Sequence, residues 1–131
     1  MHMFRQDIPI ILVRPDDRNY PVLSMGELDS ALEEFAKSFF AKIEIPSFHL
    51  VTDSSAPQTV LFYWAGSKAG VEYEVSRGQG KEYPFWIWIG SADHGGWDDR
   101  LAELAHSVAD TLSLTGWRCL VRGYLSAQAL S

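Results

Sequence analysis

The chain has 131 residues, and eleven Lys and Arg against seventeen Asp and Glu give a formal charge of −6. With 47% hydrophobic and 21% charged residues it is neither a disordered tail nor a membrane protein, and its length fits one domain over 1–131, in the usual span of ~100–150 residues. The acidic balance argues against a nucleic-acid surface, and the longest apolar run, Ile8 to Val13, falls far short of the ~20 residues that cross a bilayer, so neither nucleic acid nor membrane is an expected partner.

Ile8 to Arg14 is a β-branched run that reads as a strand, stopped by turn chemistry from Pro15 to Pro21. Ser24 and Glu27 have the spacing of a capping box. Behind them Leu28, Leu32, Phe35, Phe39 and Ile43, with Ala31 and Ala36, recur every three or four residues. That stripe predicts a helix over 25–42.

The period then falls to two. Phe48 to Thr52 is a short strand, and Thr59 to Ala65, which includes Trp64, is apolar on both faces, as a strand covered on both sides would be. Gly66 to Gly70 reads as a glycine-bounded hairpin turn. Val71 to Val75 alternates, with Val71, Tyr73 and Val75 on one face and Glu72 and Glu74 on the other. Arg77 to Lys81 makes the next turn. Pro84 to Gly90 is a further strand, separating Phe85, Ile87 and Ile89 from Trp86 and Trp88. Short turns between these strands predict an antiparallel meander over 59–90.

Leu101, Leu104, Ala105, Val108 and Leu112 set the apolar stripe of a second helix, about 97–114, whose first turn holds Asp98 and Asp99. Gly116 ends it as a left-handed cap, and Trp117 to Leu125 is a terminal strand. The order β-α-β-β-β-β-α-β predicts an α+β fold, an antiparallel-rich sheet packed by two helices.

No motif names a reaction. His49, His94, His106 and Cys119 fall on four different elements without metal-ligand spacing, and neither a phosphate loop nor a dinucleotide fingerprint occurs, so no metal and no cofactor is expected. Cys119, the single cysteine, reads as a buried inert thiol and excludes an internal disulfide. With no basic-then-apolar leader at the N-terminus, it suggests a cytoplasmic protein. Asp93, His94, Trp97, Asp98 and Asp99 form a polar cluster ahead of the second helix. Its acids would repel an anion, so Asp93 or His94 reads better as a helix cap. Arg77 and Lys81 bracket a glycine loop whose charges serve hairpin solubility as readily as any phosphate.

The meander carries the sharper reading. Two unpaired carboxylates are costly to bury, so Val71, Tyr73 and Val75 face the helices and Glu72 and Glu74 face away. Phe85, Ile87 and Ile89 are the natural core set, which turns Trp86 and Trp88 to the same outer surface as the acids. Exposed aromatics beside carboxylates suit a docking surface for a basic protein. Glu72, Glu74, Trp86, Trp88 and Trp64 are its candidate residues. The function expected is that of a non-enzymatic acidic binding module, a cytoplasmic immunity or inhibitor protein that occludes a basic toxin or nuclease. A type III-like secretion chaperone, binding an effector segment and working as a homodimer, is the alternative among binders. From another class comes a small hydrolase or carbohydrate-binding protein, using Glu72 and Glu74 with Trp86 and Trp88. A deep pocket around the acids would favour that class, and a flat face would disfavour it.

Overall fold

The computed structural model describes residues 9–17, 25–53, 61–78, 82–91 and 99–123. Their elements follow the expected α+β order: β1 (Pro9–Pro15), α1 (Met25–Lys42), β2 (Phe48–Asp53), β3 (Leu61–Lys68), β4 (Val71–Arg77), β5 (Phe85–Ser91), α2 (Asp99–Ser113) and β6 (Trp117–Gly123). The six strands form one sheet in the order β2-β3-β4-β5-β1-β6, every neighbouring pair antiparallel. The meander β2 to β5 is consecutive, and β1 returns to lie between β5 and β6. That place follows from its composition. Ile11 and Val13 are buried on one face and Ile10 and Leu12 on the other, an all-apolar run that suits an interior strand, and β5 and β6 pair along its two edges.

Both helices lie on one side of the sheet, α1 over β3 and β4 and α2 over β1, β5 and β6. The core between them takes Leu32, Phe35, Phe39 and Phe40 from α1, and Leu101, Ala105, Val108 and Leu112 from α2. Beneath them lie Tyr73, Val75, Phe85, Ile87 and Ile89. Phe35 joins the two halves: it stacks on Phe85 at 4.8 Å and meets Trp117 edge-on at 4.8 Å. Each such aromatic contributes ~1.5–3 kcal/mol through burial alone. Arg77 at the end of β4 also faces this side, 3.5 Å from Asp29 of α1. The contact is ionic, because that carboxylate oxygen accepts no hydrogen bond. Arg77 therefore ties helix to sheet and is not a loop cation.

Most element ends differ from the sequence reading by one or two residues, and two larger departures, at the β3 turn and on the face of α1, have a physical cause. The turn expected over Gly66 to Gly70 is only Ala69 and Gly70, because β3 runs on to Lys68. Both turn residues have positive φ, 53° and 81°, the backbone that matches the twist of a two-residue hairpin. Gly66 sits inside the strand because Phe40 and Ile45 occupy the space a side chain would need. The same two residues explain why the apolar face of α1 is wider than the predicted stripe. Glu44 takes a positive φ of 60°, and the Ile45 and Glu44 amides donate to the Phe40 and Ala41 carbonyls, closing a Schellman end that folds Ile45 back onto Phe40. Gly116, at φ 96°, stands in the left-handed turn foreseen for it. The predicted ends at Ile8, Ser24, 59–60, 97–98 and 124–125 lie outside the described residues, as does Lys81.

Candidate partner-binding surface

Alternation along the strands divides the sheet into a helix-covered face and an outer face, and the pairing register lays the outer residues out in rows. One row is His49, Ala65, Glu74, Trp88, Ile10 and Arg122. A second is Val51, Tyr63, Ser76, Trp86, Leu12 and Leu120. A third, shorter row joins Ser67, Glu72 and Gly90. The helix face, by the same alternation, holds Val71, Tyr73 and Val75 with Phe85, Ile87 and Ile89, Tyr73 opposite Ile89 and Val75 opposite Ile87. Glu72 and Glu74 thus share the outer face with Trp86 and Trp88, and Glu74 lies directly across from Trp88.

The tryptophans are not an exposed patch. Both are half-buried, their rings 6.0 Å apart and tilted by 60°. The Trp86 indole edge closes on Gly78, whose amide donates to the Pro84 carbonyl at 2.8 Å. Ile10 and Leu12 beside them retain only 3% and 9% exposure. The expected aromatic docking platform is therefore largely packed. Trp64 departs further. It points to the helix face, where it meets Phe48 edge-on at 5.9 Å and packs against the core, so it does not join the acids. Its apolar neighbours gave no parity with which to choose a face.

What the outer face does offer is a trough over β2, β3 and β4. It encloses about 440 Å³, and its side-chain walls are His49, Val51, Tyr63, Ser67, Glu72 and Glu74 over a floor at Ala65 and Gly66. The volume is in the range of small binding sites, ~300–1,000 Å³. Small residues create it: Ala65 stands between His49 and Glu74, and Ser67 beside Glu72, where larger side chains would fill the row. The expectation that β3 is covered on both sides is thus corrected: α1 covers one side, and the trough lies on the other.

Glu72 is exposed and Glu74 half-buried. Burial pushes the Glu74 carboxyl above its ordinary value; a hydrogen bond from the Tyr63 hydroxyl pulls it back, and the like charge of Glu72 pushes it up again. Among the described residues neither carboxylate forms an ion pair with Lys or Arg. Lys68, immediately before the turn, spends its ammonium on the Ile43 carbonyl at 3.2 Å. Arg118 and Arg122 lie on β6, three strands from β4, and Arg118 is 3.0 Å from Asp16. The trough is an anionic recess with no resident cation among these residues. His49, Tyr63 and Ser67 belong to it and were missed as site residues, although aligning the alternation of three successive strands would have brought them to the acids' face.

Asp99 opens α2, while Asp93, His94, Trp97 and Asp98 lie outside the described residues. His106 is exposed on α2, and Cys119 is half-buried beneath it, its thiol pushed up to about 11 by burial. Among the described residues no helix is long and apolar enough to cross a membrane. Comparison of the chain with protein-family models, with curated proteins and with solved structures gives no match.

Proposed function

We propose that this chain is an acidic protein-binding module of the immunity or inhibitor kind, acting in the cytoplasm without catalysis, and that its outer sheet face occludes a basic toxin or nuclease. The single observation that carries the reading is the trough of about 440 Å³ walled by Glu72 and Glu74, with no cation paired to either among the described residues. A carboxylate held partly out of water gains from a partner's ammonium or guanidinium more than a solvated one does, because the interaction is less screened. A recess around the acids is a feature the hydrolase reading also called for, but the placement of the two acids argues against hydrolysis. Both acids rise from one strand, with α-carbons roughly 6.5–7 Å apart on a single wall, whereas glycoside cleavage takes carboxylates flanking a bond from two sides. Trp86 and Trp88, the aromatics that reading relied on, do not line the trough.

The test is capture from a lysate of the source organism with wild-type chain and with the double variant Glu72→Lys, Glu74→Lys, followed by assay of the captured protein's toxicity or nuclease activity with each added back. The reading expects a basic protein captured and inhibited by the wild type alone. Equal capture and equal inhibition by the charge-reversed variant, folded as judged by circular dichroism, would refute it.

A further inference from the structure

We infer that the edge of β2, unpaired among the described residues, and the trough beside it form one docking groove, and that its occupant is an extended segment of a protein partner, alternating Lys or Arg with aliphatic residues, which adds a seventh strand to the sheet. The inference rests on the acid-surface reading above and deepens it by naming how the partner sits.

The sheet has two edges, and they are built differently. β6 carries exposed Arg118 and Arg122, charges of the kind that keep strange strands from pairing. Residues 48–52 of β2 hold no Lys, Arg, Glu, Pro or Gly, and β3 is their one strand neighbour among the described residues. Leu50 is 47% exposed on the helix-side face of β2, one of only two large hydrophobics so exposed among the described residues. On the other face His49 and Val51 are a wall of the trough. An added strand would therefore meet an apolar side chain on one face and an anionic recess on the other.

Charge and reach select the occupant. A residue paired beside His49 stands three strand spacings from Glu74, about 14 Å between α-carbons. His49 stands first on that path and must turn aside, and beyond it Ala65 leaves the row open. Lys and Arg, the basic side chains of longest reach, are the ones that extend over Ala65 far enough to meet a Glu74 carboxylate leaning toward them, with their neighbours in sequence turned to Leu50. Backbone hydrogen bonds supply affinity in this mode and the alternate side chains supply specificity.

The probe is a capped octapeptide alternating lysine and valine, with a glutamate-valine octapeptide as control, titrated by fluorescence anisotropy against the full chain. Hydrogen exchange of the β2 amides is followed in parallel. The expected result is binding of the lysine peptide alone, slowed exchange across 48–52, and affinity reduced at least about ten-fold by Leu50→Lys and by Glu72→Gln, Glu74→Gln. Lysine-peptide binding that the glutamine pair weakens, but that leaves Leu50→Lys and β2 exchange unaffected, would overturn the edge docking and leave the acid-surface reading standing. Equal binding of both peptides, or of neither at millimolar concentration, would overturn the proposal. So would a dimer in analytical ultracentrifugation that Leu50→Lys converts to monomer, because a second copy would then hold the edge.

Discussion

Replacing Gly66 by alanine tests the fold where it differs most from the sequence reading. The added Cβ would lie 2.9 Å and 3.3 Å from two ring carbons of Phe40 and 3.0 Å from a methyl of Ile45. Carbon atoms prefer ~3.5–4.0 Å, so the neighbours must yield by roughly half an ångström or more. They have little room to do so, since Phe40 and Ile45 are both buried and Phe40 is stacked on Phe48 at 4.9 Å. Overpacking of this kind costs ~1–3 kcal/mol, while removing a glycine from a strand returns ~0.5–1 kcal/mol of chain entropy. The net is a loss within limits of about 0 and 2.5 kcal/mol, and with the rings held as tightly as here the expectation is about 0.5–2 kcal/mol. For a chain of this size that lowers Tm by roughly 2–7 °C, and in urea it lowers the midpoint without changing the slope. Introduced into a Phe40→Leu background, Gly66→Ala should cost at least about 0.5 kcal/mol less than it does in the wild type. A variant as stable as the wild type, or more stable, would refute the packing. It would put Gly66 back in an open turn, where a methyl meets nothing.

The remaining predictions concern single groups. Burial raises the folded Glu74 pKa above its unfolded value, so this carboxyl's contribution is favourable below the ordinary carboxylate range and is lost as pH rises through the raised value. Glu74→Gln should therefore be the more stable protein at neutral pH, with the gain vanishing in acid, as urea denaturation across pH will show; a wild type more stable at neutral pH contradicts the burial argument. Ala69→Asn should stabilise by roughly 0.5–1 kcal/mol and Gly70→Ala should destabilise, because both positions have positive φ. Equal melting temperatures for all three proteins would count against the turn geometry. With its thiol pushed up to about 11, Cys119 should react with iodoacetamide at pH 8 about a hundred-fold more slowly than free cysteine. A rate near that of free thiol would show it to be unburied.

The elements were legible wherever periodicity and burial agree. The stripe from Leu28 to Ile43 and the alternation of Val71 to Val75 each admit one orientation, because the opposite one buries unpaired charge. Trp64 was not legible for the same reason in reverse: with Phe62, Tyr63 and Ala65 around it, either face is apolar, and only pairing to β2 and β4 decides. Gly66 misled because glycine serves two purposes, a turn that needs positive φ or a close approach that needs no Cβ, and local sequence does not separate them. Of the site, the acids and their face were legible. The trough was not, since it depends on which residues of three strands fall into one row, a matter of register.

The same register changes the weight to be given to the two acids. In the sequence they are equivalent, two residues apart on one alternating strand. In the fold Glu72 is exposed, and a solvated glutamate at a strand end needs no partner to explain it. Glu74 is different: it is held half out of water between Ala65 and Trp88, beside a like charge, with the Tyr63 hydroxyl donating to it. A neutral side chain of similar shape would satisfy the tyrosine equally and avoid the desolvation cost. Keeping a carboxylate there brings no return in packing, and among the described residues no Lys or Arg pairs with it, which is the place the proposed docking mode gives to a partner's cation. The proposed docking mode accordingly places the larger share of affinity on Glu74, with Glu72 contributing chiefly to long-range attraction. Salt should weaken the contribution of Glu72 more than that of Glu74, because screening acts most strongly on the charge that water already surrounds.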